Sequence, residues 1–253
     1  MRETRFSAAA AAFFAFAGGT TGVLADQVSL IPVADNTMFE SATGSLANGA
    51  GTAMFAGRNS AATGSIRRGL IRFDFSSLPA GATITDASLR LNDSAANVAP
   101  ADVGLFRVLQ SWGEGASLAT GAQGGGAPSQ PGDATWIHRS FSTVFWTNIG
   151  GDFSPVASAV KSVGAPGNYD WSSAGLLADI LHFQATPTDN FGWILIGDEA
   201  VASSAKRFST REEPDSSLRP TLTLTYQVPE PAGFIALGLF AGILSRRRRV
   251  TTS

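Results

Sequence analysis

The chain has 253 residues, 44% of them hydrophobic, only 15% charged, and no cysteine. The missing cysteine excludes disulfides, thiolate metal sites and thiol catalysis, so stability must come from packing, hydrogen bonds or a bound ion. Residues 26–227 carry twelve basic against eighteen acidic side chains, a net charge near −6, which argues against a nucleic-acid partner, because phosphate binding needs a basic surface.

The first 25 residues have the composition of a secretory signal. Arg2 and Arg5 precede a short apolar run, SAAAAAFFAFAGG, and Val23-Leu24-Ala25 puts small residues before an expected cleavage after Ala25. The mature chain is then expected to begin at Asp26, in an exported protein.

From there to Tyr226 the pattern is that of strands. GLIRFDF (69–75) sends Ile71, Phe73 and Phe75 to one face and Leu70, Arg72 and Asp74 to the other. ASLRLN (87–92) sets Leu89 and Leu91 against Arg90, and TLTLTY (221–226) alternates Leu with Thr. Leu78-Pro79-Ala80-Gly81, Asn148-Ile149-Gly150-Gly151 and Ala165-Pro166-Gly167-Asn168 punctuate them as turns. Many short strands so separated predict an all-β fold, a jelly-roll-like antiparallel β-sandwich. Two stretches depart from this pattern. Residues 113–131 are rich in Gly, Ala and Pro and read as a long loop, functional or mobile. Residues 172–184 space Leu176, Leu177, Ile180, Leu181 and Phe183 helically after Ser172 or Ser173 as a cap, so one short helix is expected.

The C-terminal stretch, 228–253, has three parts: Val228-Pro229-Glu230-Pro231, an apolar run from Ala232 to Leu244, and Arg246, Arg247, Arg248 and Arg249. A helix of those thirteen apolar residues spans roughly 20 Å, short of the ~30 Å hydrocarbon layer. The arginines would keep the C-terminus on the cytoplasmic side. A transient hydrophobic helix suits this better than a permanent single-span anchor.

The body resembles the DNRLRE-type domain of exported bacterial proteins. The resemblance rests on residues 47–91, on SWGEG (111–115), GDATWIHRSF (132–141), FWTNIGGDF (145–153) and NFGWILIGDE (190–199), and on 206–226. The C-terminal stretch resembles the PEP-CTERM sorting signal. With the signal helix read at 1–25, these resemblances give three segments: that signal, a β-sandwich at 26–227 and a sorting signal at 228–253. They imply a membrane protease of the exosortase type as a transient partner, a location at the cell surface or in the extracellular matrix, polysaccharide binding, and no established catalytic activity. The six letters of the family name do not occur as a string; Phe208-Ser209-Thr210-Arg211-Glu212 comes nearest, so no binding residue is carried over from it.

Candidate binding residues come from the side chains themselves. Trp112 and Trp146 stand beside loops and are candidate platforms for sugar rings, whereas Trp193, within an apolar run, reads as core. Arg67 and Arg68 are candidate contacts for an acidic polysaccharide, because a guanidinium forks onto a carboxylate. Asp198, Glu199 and Glu212 are a candidate calcium set, with no EF-hand spacing, and a Glu199–Arg211 ion pair competes with it if their strands form a hairpin. His182 reads as a packing residue of the helix, and His138 has no Gly-x-Ser-x-Gly partner. The leading expectation is a non-enzymatic exported protein that binds polysaccharide or scaffolds a matrix. A polysaccharide-active hydrolase or lyase working through two loop carboxylates, and a structural protein that self-associates through sheet edges, remain alternatives.

Overall fold

The computed structural model describes residues 25–94 and 99–228. The expected signal peptide upstream of Ala25 and the sorting signal from Pro229 onward lie outside the described residues. Fifteen strands and one helix follow in order: β1 (Ala25–Leu30), β2 (Pro32–Phe39), β3 (Leu46–Ala47), β4 (Ala53–Arg58), β5 (Ile66–Phe73), β6 (Thr83–Asp93), β7 (Ala101–Arg107), β8 (Ala127–Pro128), β9 (His138–Ser140), β10 (Val144–Phe145), β11 (Ala159–Val163), β12 (Gly167–Trp171), α1 (Ala174–Ala185), β13 (Trp193–Ile196), β14 (Lys206–Ser209) and β15 (Thr221–Gln227).

Eleven strands join in one antiparallel sheet, ordered β1-β15-β6-β14-β4-β5-β13-β7-β11, with β12 also on β6 and β2 also on β5. Two short pairs, β3 with β8 and β9 with β10, stand apart from it. The large sheet turns back on itself at β4, whose residues 53–56 pair with β14 and whose Gly57 and Arg58 pair with β5. Both halves then supply one core. Leu89, Leu91, Leu222 and Leu224 come from one half, and Ile71, Phe73, Val103, Leu105, Trp193 and Leu195 from the other. The arrangement is sandwich-like, and the leucines of β6 and β15 point inward as their alternation requires.

The β5–β13 region is buried on both faces. Ile71 and Trp193 face the main core, while the pleat turns Leu70 and Ile194 toward a second cluster with Met38, Trp112, Trp136 and Trp146. Long connections between β7 and β11 cover that second face.

Helix α1 starts where the sequence places it. Ser173 caps it, its Oγ accepting from Leu176 N at 3.0 Å, and Leu176, Ile180 and Phe183 are buried. Leu181 faces outward. His182 is not a packing residue: its side chain is 39% exposed and lies 3.3 Å from the Asp189 carboxylate. No helix among the described residues is long and apolar enough to cross a membrane.

The Gly-rich segment is a fixed structure. Asn48 Oδ1 accepts from Ala119 N, Gln123 Oε1 accepts from Ala53 N, and Asp133 Oδ2 accepts from Gln130 N. Its glycines serve close backbone approach. A Cβ on Gly113 would lie 2.0 Å from the Gly132 carbonyl oxygen, and Gly115, at φ +72°, has Asp133 Oδ1 where its Cβ would be.

Candidate functional site

β4 runs between β14 and β5, and its outward face forms the floor of an open groove of about 480 Å³. Register fixes what lines it. Phe55 stands opposite Arg207, and Gly57, two residues on and therefore on the same face, stands opposite Arg67. Two guanidinium groups thus flank a floor made of a phenyl ring and backbone. Asn59, Ser94, Ala122, Gly124 and Ala205 are the other described residues of the lining, and none of the described lining residues is acidic.

Each arginine is held in place. Arg67 is 6% exposed and sits over the Phe39 ring at 4.7 Å. Its Nε donates to Gly124 O at 3.2 Å, and its Nη1 to Gly64 O and Ile66 O at 2.6 and 2.9 Å. Burial lowers its pKa, the nearby Glu40 opposes this, and a guanidinium remains charged throughout the physiological range. Arg207 donates from Nη1 to Ser94 Oγ, and its buried Nε has no hydrogen-bond partner among the described residues. A pre-positioned pair of cations, in a domain of net negative charge, can take an anion.

Arg68 does not share this groove. Adjacent strand residues point to opposite faces, and Arg68 enters the second core. There it forks onto Glu199 (Nε–Oε1 2.7 Å, Nη2–Oε2 2.9 Å), donates to Gly150 O, and lies between the Trp136 and Phe153 rings at 4.8 and 5.4 Å. Trp112 and Trp146 are also placed in the core, 6% and 5% exposed, with Nε1 atoms donating to Phe191 O and Thr135 O. A ring so covered offers no face to a sugar, so the two indoles act as core plugs.

The expected calcium set is not assembled here. Asp198 Oδ1 accepts from Ala200 N and Val201 N, closing a turn; Glu199 is taken by Arg68; and Glu212 lies beside Arg211, with Nε–Oε1 at 3.0 Å. Among the described residues, no group of three or more His, Asp and Glu is spaced to hold a metal ion. The Glu199–Arg211 pair does not form either, because β13 pairs with β5 and β7 while β14 pairs with β4 and β6, so no hairpin joins them.

Arg211 instead finds Glu114 of the Gly-rich segment, in a fork with Nε–Oε1 at 2.8 Å and Nη2–Oε2 at 2.6 Å. Glu114 Oε1 also accepts from Asp35 N at 2.9 Å, and Asp35 Oδ2 accepts from Arg211 N at 3.0 Å. Burial, and then the Glu212 charge, push the Asp35 carboxyl well above its ordinary value; burial also raises Glu212. Nothing in the sequence pattern shows that Asp35 and Glu114 meet.

Compared with known proteins, the chain matches no protein-family model and no curated protein sequence.

Proposed function

We propose that the protein is an exported, non-enzymatic surface or matrix protein whose β domain, of jelly-roll type, binds an acidic polysaccharide in the Arg67–Arg207 groove. One observation carries the binding reading: the Arg67 and Arg207 guanidinium groups flank one groove, and no carboxylate is among the described residues that line it. A uronate or sulfated sugar supplies the negative charge that the two guanidinium groups match. The export reading rests on the sequence, in which an N-terminal signal and a C-terminal stretch resembling PEP-CTERM flank the domain. An exosortase-type protease and, before processing, the membrane are then its transient partners.

The test is titration of the purified protein with an acidic and a neutral polysaccharide, for the native chain and for Arg207→Gln. Saturable, salt-sensitive binding to the acidic polymer is expected, weakened about tenfold or more by loss of one charge-assisted contact. Equal binding of both polymers, or an unchanged affinity in Arg207→Gln, would remove the groove from the reading. Export is tested separately, by following the full chain and a version without 228–253 in a host that carries the processing machinery. Identical fates for the two would sink the sorting role.

A further inference from the structure

Three carboxylates gather at Arg211, Glu114 and Glu212 on its guanidinium and Asp35 on its backbone N–H. Glu114 has donors for both oxygens. Asp35 Oδ1 and Glu212 Oε2 are closed off from solvent and have no hydrogen-bond partner. The Asp35 residue as a whole is fully buried, 0% exposed. With both groups ionised, two inaccessible oxygens would lack a donor beside a net negative charge, which folded proteins avoid. A proton on one of the two carboxyls turns an acceptor without a donor into a donor and removes one negative charge. A divalent cation suits the place less well. Arg211 already occupies the flank of Glu114 and Glu212, and among the described residues no group of three or more His, Asp and Glu is placed to hold a metal ion.

We propose that Asp35 and Glu212 share one proton, making a carboxylic acid–carboxylate clasp between β2 and the segment that follows β14. The Glu114–Arg211 fork ties the Gly-rich segment into the same clasp. The charged groups around the pair are those two: Glu114 from the Gly-rich segment, and Arg211 from the segment after β14. Glu213, next in the chain, turns away, its Oε1 accepting from Asp215 N. The raised titration of both carboxyls agrees with the geometry.

The folded chain then holds a proton that the unfolded chain releases above the ordinary carboxylate range. Stability from the clasp is complete at acidic pH and is lost as pH rises through the raised value. A proton held tenfold more tightly by the folded state shifts Tm by about 3–5 °C. The experiment is a carboxyl-carbon NMR titration of the full chain, with thermal denaturation from pH 4 to pH 9 for the native protein, Asp35→Asn and Glu212→Gln. One of the two carboxyls is expected to keep its proton well above the ordinary carboxylate range. Tm is expected to fall toward alkaline pH in the native chain, and Glu212→Gln, which brings its own amide donor, is expected to flatten that slope. If Asp35→Asn does not fold, Glu212→Gln and the native titration decide. Two carboxyls fully ionised by pH 6 would overturn the proposal. So would a Tm rise on adding calcium at pH 7 that Glu212→Gln abolishes, because a cation would then stand where the proton is placed.

Discussion

Arg68 and Trp112 show how a side chain that looks suited to a ligand can be taken up by the fold. The Arg68–Glu199 fork is largely shielded, with side-chain exposures of 15% and 22%, and two aromatic rings cover it. Removing one partner leaves the other charge without its counterion in a low-dielectric site. Arg68→Ala is therefore expected to cost about 3 kcal/mol in urea denaturation, and the double variant with Glu199→Gln less than the sum of the singles. Trp112→Phe keeps an aromatic ring but leaves the Phe191 carbonyl without its donor, for a loss of about 1–2 kcal/mol and no change in polysaccharide affinity. An altered affinity in that variant would return Trp112 to the ligand site. The sequence shows Arg67 and Arg68 side by side as a basic patch. Only the pleat of β5 separates them, one into an open groove and the other into a core.

At the scale of elements, the parts most legible in the sequence are those governed by local chemistry. Alternation marked β5, β6 and β15, and Ser173 with its Leu, Ile and Phe spacing marked α1 to within a residue or two. Ser173→Ala is expected to destabilise the protein by about 1 kcal/mol, since Leu176 N loses its cap acceptor; equilibrium denaturation measures it. Partner choice among strands was not legible. β13 and β14 are neighbours in the chain but not in the sheet, and that alone separates Glu199 from Arg211. Sheet pairing is set by long-range burial, and local periodicity carries no record of it. The Gly-rich segment was likewise opaque, because several of its glycines answer to atoms distant in sequence, as Gly113 does to the Gly132 carbonyl and Gly126 to the Phe39 ring. Gly115→Ala is expected to be destabilising by more than 1 kcal/mol, through positive φ and through displacement of Asp133. A variant as stable as the native chain would mean that the segment shifts freely.

At the scale of the whole molecule, the antiparallel partnership of β1 with β15 sets Ala25 opposite Gln227. Directly opposed residues lie about 5 Å apart, so a linker of a few residues can join them. A permuted body, with 25–228 closed in this way and reopened between Ala62 and Thr63, is expected to fold with a native circular dichroism spectrum. Those two residues are exposed and lie in a connection between strands. An unfolded product would show that the β1–β15 edge depends on chain order as well as on pairing.

The same register has a further meaning for how the molecule is displayed. Gln227 also pairs with Thr83 at the start of β6, whereas Asp93, at the far end of that strand, meets β14, and Ser94 opens onto the groove. Eleven residues of strand separate the two places, roughly 30 Å along the sheet. A leash attached upstream of Ala25 or downstream of Val228 therefore pulls on one pole, and the two arginines look out from the other. If the proposed sorting holds the chain by its ends, the charged groove faces away from the holding surface, toward the surroundings.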